Sequence, residues 1–171
     1  MTSQTIGKVY KGKDVSRGGH LDVMHRALHI VHLDSDSSRN YHPYNHAQDF
    51  TIQLREELML EPSDRWTCCL IQSSLPFEKN QEVTYLCCDL CVYSVVGDFD
   101  LPILRVIYPH GSKYSHFYNK VHVPLKQGQV SAIRIYLLSE SGDPRSFVPG
   151  TTYCTLEFHK HWQSTIPQGR Q

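Results

Sequence analysis

The feature that most limits what this chain can fold into is a two-residue alternation of apolar and polar side chains, broken at short intervals by turn formers. Phe50, Ile52 and Leu54 alternate with Thr51, Gln53 and Arg55, which gives an extended segment one apolar side. Trp66, Cys68 and Leu70 repeat the pattern, with Cys69 and Ile71 on the other side. Leu28 to Leu33 is a short apolar run that ends in the turn-rich Asp34-Ser35-Asp36-Ser37-Ser38. A long strand is predicted with Leu86, Cys88, Leu90 and Val92 along one side. Ile103 to Tyr108, Val121 to Leu125, Ile133 to Leu138, and Cys154, Leu156 and Phe158 complete the series. Helical spacing is confined to Leu54 to Leu60 (LREELML), a turn or two that Pro62 would end. About eight strands separated by Pro, Gly, Asn and Asp predict an all-β domain. The expected architecture is an eight-stranded antiparallel jelly-roll sandwich, with two four-stranded sheets packing their apolar sides together.

At 171 residues the chain suits a single domain. Residues 1–26 carry Lys8, Lys11, Lys13, Arg17 and Arg26 against Asp14 and Asp22, with little apolar periodicity. They read as a flexible, basic N-terminal arm that a partner would order, with Lys8, Lys11, Lys13 and Arg17 as its assembly residues. Residues 27–162 form the expected domain and 163–171 a polar tail. Seventeen basic and seventeen acidic side chains cancel, which argues against a broad nucleic-acid-binding face. No run nears the roughly 18 apolar residues of a membrane span, and the first residues lack a signal-like apolar stretch. The six cysteines are expected to stay reduced, because their spacing is not that of a disulfide framework.

Candidate chemistry is sparse. Cys87-Cys88-x-x-Cys91 contains a CxxC spacing, and Cys68-Cys69 could supply further ligands if the two strands were adjacent. Neighbouring residues on a strand point to opposite faces, however, so each Cys-Cys pair splits its thiols; core cysteines and no metal are expected. Among eleven histidines, His42 and His46 are separated by Pro43, His29 and His32 fall on opposite faces, and His159 and His161 share one. There is no HExxH, GxSxG, P-loop or GxGxxG, and the Gly18-Gly19 pair lies in the arm. Asp34 with Asp36, and Asp98 with Asp100, sit in turn contexts that favour local backbone bonding. No catalytic residue and no cofactor is expected. Tyr41, Tyr44, Tyr108, Tyr114, Phe117 and Tyr118 fall in loops near Lys113 and Lys120; such residues either stack bases or build protein interfaces, and the neutral charge favours interfaces.

Several segments carry a resemblance. Ile30-Val31-His32-Leu33-Asp34-Ser35-Asp36-Ser37-Ser38 is followed by Tyr41-His42-Pro43-Tyr44-Asn45, Phe50-Thr51-Ile52-Gln53-Leu54 and Asp64-Arg65-Trp66-Thr67-Cys68-Cys69-Leu70. This succession resembles the start of the single-jelly-roll minor capsid, or penton, proteins of Polinton-type elements, adintoviruses and adomaviruses. Ile133-Arg134-Ile135-Tyr136-Leu137 through Gly142, Phe147, Gly150 and Thr155-Leu156-Glu157-Phe158 is similar to that family's closing strands. The likeness covers about half the chain in patches; it departs at Cys68-Cys69 and over residues 97–120. It implies a homo-pentamer at the vertices of an icosahedral double-stranded DNA virus shell, beside a double-jelly-roll hexon protein and in some cases a fibre or spike. It implies a virion location, assembly in the host nucleus or cytoplasm, and no cofactor or catalytic residue. A weak contact of the arm with DNA is compatible with it. The rival readings are a cellular β-sandwich module that binds a peptide, sugar or nucleic acid through its Tyr-rich loops, and a cupin-like metal enzyme.

Overall fold

Alternating side chains become strands where a neighbouring segment completes the hydrogen-bond ladder, and here that happens twelve times among the residues described. The computed structural model describes residues 10–11, 28–76, 83–108, 113–145 and 149–161. The strands are β1 (Tyr10–Lys11), β2 (Leu28–Asp34), β3 (Asp49–Leu60), β4 (Arg65–Ser74), β5 (Thr84–Cys88) and β6 (Ser94–Val96). They continue as β7 (Phe99–Leu101), β8 (Ile103–Ile107), β9 (Tyr114–His116), β10 (Val123–Pro124), β11 (Gly128–Leu138) and β12 (Tyr153–His161). Every pairing between them is antiparallel, and the described residues contain no helix. The chain is all-β.

One sheet runs β1-β2-β12-β4-β10, with β9 also on the edge of β4; the other runs β3-β11-β5-β8. Strands β6 and β7 form a separate hairpin. The apolar sides of the two sheets share one core: Val31, Cys68, Leu70, Leu156 and Phe158 from the first meet Phe50, Ile52, Leu86, Leu104, Ile133 and Ile135 from the second. Fully burying a Leu, Ile or Phe side chain contributes roughly 1.5–3 kcal/mol, so this layer carries the fold. Each Cys-Cys pair does split across its strand: Cys68 and Cys88 belong to the core, Cys69 and Cys87 do not, and all six thiols are buried and unpaired.

The connections gather at two places. Ser35 N–H donates to Thr152 O (3.0 Å) and Thr152 Oγ1 to Ala47 O (2.7 Å), which ties the β2–β3 loop to the β11–β12 loop. Arg145 donates to Val83 O (3.2 Å), and Leu75 N–H to Lys113 O (2.9 Å), which adds the β4–β5 and β8–β9 connections to the same end. Elsewhere, Gln127 Nε2 donates to Pro62 O (3.3 Å) and Lys126 N–H to Leu90 O (2.8 Å).

Two sequence expectations fail. Leu54 to Leu60 is not helical; it completes β3. Its pairing jumps from Gln53↔Ala132 to Leu58↔Val130, so Leu54 to Glu57 bulge opposite Ser131, with Arg55, Glu56 and Glu57 exposed and Leu58 and Leu60 returned to the core. A long partner in β11 outweighs a helix of a turn or two, which is too short to hold itself. The expected long strand through Val92 stops at Cys88, where Cys91 N–H closes a turn onto Cys88 O (3.0 Å). Asp89 shapes that turn, with Oδ1 accepting from Arg134 N–H at 3.0 Å; Cys91 is buried while Val92 is exposed. Of the arm residues, Lys11 lies in β1 opposite His29, and Lys8, Lys13 and Arg17 lie outside the described residues, as does the 163–171 tail.

Candidate functional site

Strand β4 is a sheet edge that is paired twice by the same connection. Its residues 72–74 face β9, with Gln72↔His116, and its residues 67–68 face β10, with Val123↔Cys68. The chain between, residues 117–122, must leave the ladder and return to it. Phe117 N–H still donates to Ile71 O (2.9 Å), and its ring packs against the core under the Arg105 guanidinium, 4.7 Å from the ring centre. Arg105 also donates to Asn119 O (2.9 Å), which holds the excursion in place.

On β12 the outward side of the sheet carries Thr155, Glu157, His159 and His161, because Leu156 and Phe158 take the core side. The pairing of β12 with β4 sets Glu157 opposite Cys69 and His159 opposite Thr67. The 117–122 excursion brings Lys120 and His122 to this side. Lys120 Nζ donates to both carboxylate oxygens of Glu157, each at 2.8 Å. His159 Nε2 stands 2.7 Å from Glu157 Oε1, off the line of a straight hydrogen bond, and its Nδ1 is buried without a partner. The His122 and His159 rings meet edge to face with centres 4.6 Å apart. His161 lies 6.5 Å from each and contacts Thr67 Oγ1 at 2.9 Å. The sulfur of Cys69 and one ring nitrogen each of His122 and His159 all fall within 4.8 Å of one another.

The electrostatics follow from this burial. Burial opposes the charge on Glu157, yet Lys120 and His159 outweigh it and hold the carboxyl below its ordinary value. Burial holds the His159 imidazole below its ordinary value against the pull of Glu157, so it is neutral near pH 7. Burial, reinforced by the Glu157 charge, pushes the Cys69 thiol up to about 11.

The tyrosines are spread over several segments: Tyr41 and Tyr44 lie in the β2–β3 loop, Tyr108 follows β8, Tyr114 opens β9 and Tyr118 belongs to the 117–122 excursion. Tyr41, Tyr44, Tyr108, Tyr114 and Tyr118 are exposed, Tyr44 at 91% and Tyr118 at 88%. Phe117, grouped with them in the sequence, is instead partly buried against the core. Asn45 fixes the loop under Tyr44: its side chain donates to Ser37 O and Thr51 O and accepts from Thr51 N–H. An open cleft of about 470 Å³ lies there, lined by Tyr41, His42, Tyr44, Asp49 and Arg134 among others. Arg134 grips Asp49 through two bonds of 2.8 and 2.5 Å. A second cleft, of about 310 Å³, lies between β3 and β12, where His29, Trp66 and Lys160 face Leu58 and Leu60.

His159 and His161 share a face as their spacing predicts, and His29 and His32 part as theirs does: His29 stands beside Trp66, whereas His32 contacts Thr155 Oγ1. His42 and His46 form no cluster; His46 contacts Gln48 Oε1 instead. Asp34 caps its own turn by accepting from Asp36 N–H at 2.7 Å. The Cys69–His122–His159 association was invisible in the sequence, because its members come from three separate segments without a common spacing. No protein-family model matches the chain, and no curated protein is similar to it.

Proposed function

We propose that the chain is a jelly-roll shell protein that assembles with copies of itself, in the manner of a vertex capsid protein. One observation carries the jelly-roll part of this reading. Counting the eight strands expected from sequence, β2, β3, β4, β5, β8, β10, β11 and β12, the first pairs with the eighth, the second with the seventh, the third with the sixth and the fourth with the fifth. That is the pairing of one long hairpin, and the added contacts β12–β4 and β11–β5 wrap it into two facing sheets. Such a double Greek-key wind supports a jelly roll, an architecture shared by viral capsid, lectin and cupin domains. The fold alone does not choose among them.

The exposed tyrosines favour assembly. The exposed Tyr41, Tyr44, Tyr108, Tyr114 and Tyr118 present large, stiff contact area at low conformational cost, as protein interfaces do. Five identical copies about an axis make one head-to-tail contact five times, and the ring closes. The neutral net charge limits repulsion among crowded copies. The arm, basic and rich in glycine, would reach beneath a neighbouring shell protein and order there.

Electron microscopy of the purified chain, alone and with a double-jelly-roll shell partner, tests the reading. Five-fold particles are expected. Isolated monomers that capture a peptide, sugar or oligonucleotide in the Tyr41–Arg134 cleft would instead support the binding-module alternative, which that cleft favours.

A further inference from the structure

We infer that Cys69, His122 and His159 form a binding site for a zinc-class divalent metal ion, with Glu157 as the group that orients His159. The site is independent of the shell reading. One thiolate and two imidazoles are the donor types that such ions take, and they prefer them over oxygen-only sets. Zinc bonds of 2.0–2.3 Å in a tetrahedron hold ligand atoms roughly 3.3–3.6 Å apart. The three donors here already lie within 4.8 Å of one another, so side-chain rotations suffice to close them.

Three further observations point to the same use. His159 is buried yet leaves Nδ1 without a hydrogen-bond partner, an unfavourable state for a polar atom unless something accepts its lone pair. Glu157 Oε1 stands 2.7 Å from the opposite nitrogen, Nε2, so a ring rotation that straightens this contact would hold the proton there and leave Nδ1 as the donor. Carboxylate–histidine–metal is the usual arrangement by which a ligand imidazole is oriented. Lys120 in turn fixes Glu157 through both oxygens. As the sulfur–metal bond forms, the Cys69 S–H proton passes to water, so binding releases a proton.

The geometry also says what the ion would do. Cys69 belongs to β4 and His159 to β12, and both are buried, whereas His122 is exposed at the end of the 117–122 excursion. A bound ion would therefore staple that excursion across the two strands. Its fourth position, on the exposed His122 side, would be open to water.

The test is a titration of the chelator-treated full chain with Zn²⁺, and in parallel with Co²⁺ as a spectroscopic probe. One ion per chain is expected, with a thiolate-to-cobalt charge-transfer band in the near ultraviolet. The band should vanish in Cys69→Ser and persist in Cys87→Ser. His122→Ala, at an exposed position, should weaken binding more than tenfold, and Glu157→Gln by roughly 10–100-fold, the usual range for an orienting partner. His161→Ala should leave it unchanged. Should Cys69→Ser fail to fold, judged by circular dichroism, His122→Ala decides alone. Absence of the band, or stoichiometric binding indifferent to His122→Ala, overturns the site.

Discussion

At the scale of single residues, the core sets the stability and the buried polar groups set its pH dependence. Phe158 is 1% exposed and packs between the sheets. Phe158→Ala is expected to cost about 3–5 kcal/mol, read as a matching loss in urea or thermal unfolding. The thiols should be inert while the chain is folded. Burial pushes Cys87 up to about 12 and raises Cys68 and Cys154 as well, so almost no thiolate exists at pH 8. Thiol titration at that pH should find these groups unreactive until denaturant is added; rapid labelling of the native chain would contradict this. Asp89 gives a signed prediction. Burial raises its carboxyl above the ordinary value, against the pull of the Arg134 N–H and Lys126. The folded state therefore holds the Asp89 proton more tightly than the unfolded chain does. The resulting stability is present below the ordinary carboxylate range and is lost as pH rises through the raised value. Asp89→Asn, which cannot ionise, should gain stability relative to the parent protein between pH 3 and pH 7 in denaturant melts. No such gain would mean that the carboxyl is not raised.

At the scale of elements, the strands were legible and their edges were not. Alternation found Phe50-Ile52-Leu54, Trp66-Cys68-Leu70 and Cys154-Leu156-Phe158 because each buries one side against the same core. It could not find the Leu54–Glu57 bulge, whose Leu54 and Leu58 lie four apart and so mimic a helical face. Nor could it end β5 at Cys88, since Leu90 and Val92 keep the apolar rhythm and only the Asp89 turn breaks it. The polar cluster was half legible. His159 and His161 share a face by simple parity, but Cys69 joins them only because β12 lies beside β4, and His122 only because the 117–122 excursion folds back over that side. Lys120 tests this element directly. It donates to both carboxylate oxygens of Glu157, which is 5% exposed. Lys120→Met should cost roughly 1–3 kcal/mol, because it leaves a buried carboxylate short of a partner. A change within a few tenths would mean that water satisfies Glu157 and that the excursion is loosely held.

At the scale of the whole molecule, two packed layers carry one end at which several connections are tied together. On the proposed reading, exposed tyrosines and balanced charge suit a subunit that meets its own copies. Removing residues 1–26 takes away β1 but none of the core described above, so the truncated chain should fold and melt nearly as the full one does. Its incorporation into shells should fall, and normal incorporation would mean that the arm has no part in assembly. The central claim is self-association, and the mass of the purified full-length chain in solution, measured by light scattering across a range of concentrations, tests it most directly. A discrete species of five times the 19.7 kDa of one chain is expected. A monomer at every concentration would contradict it.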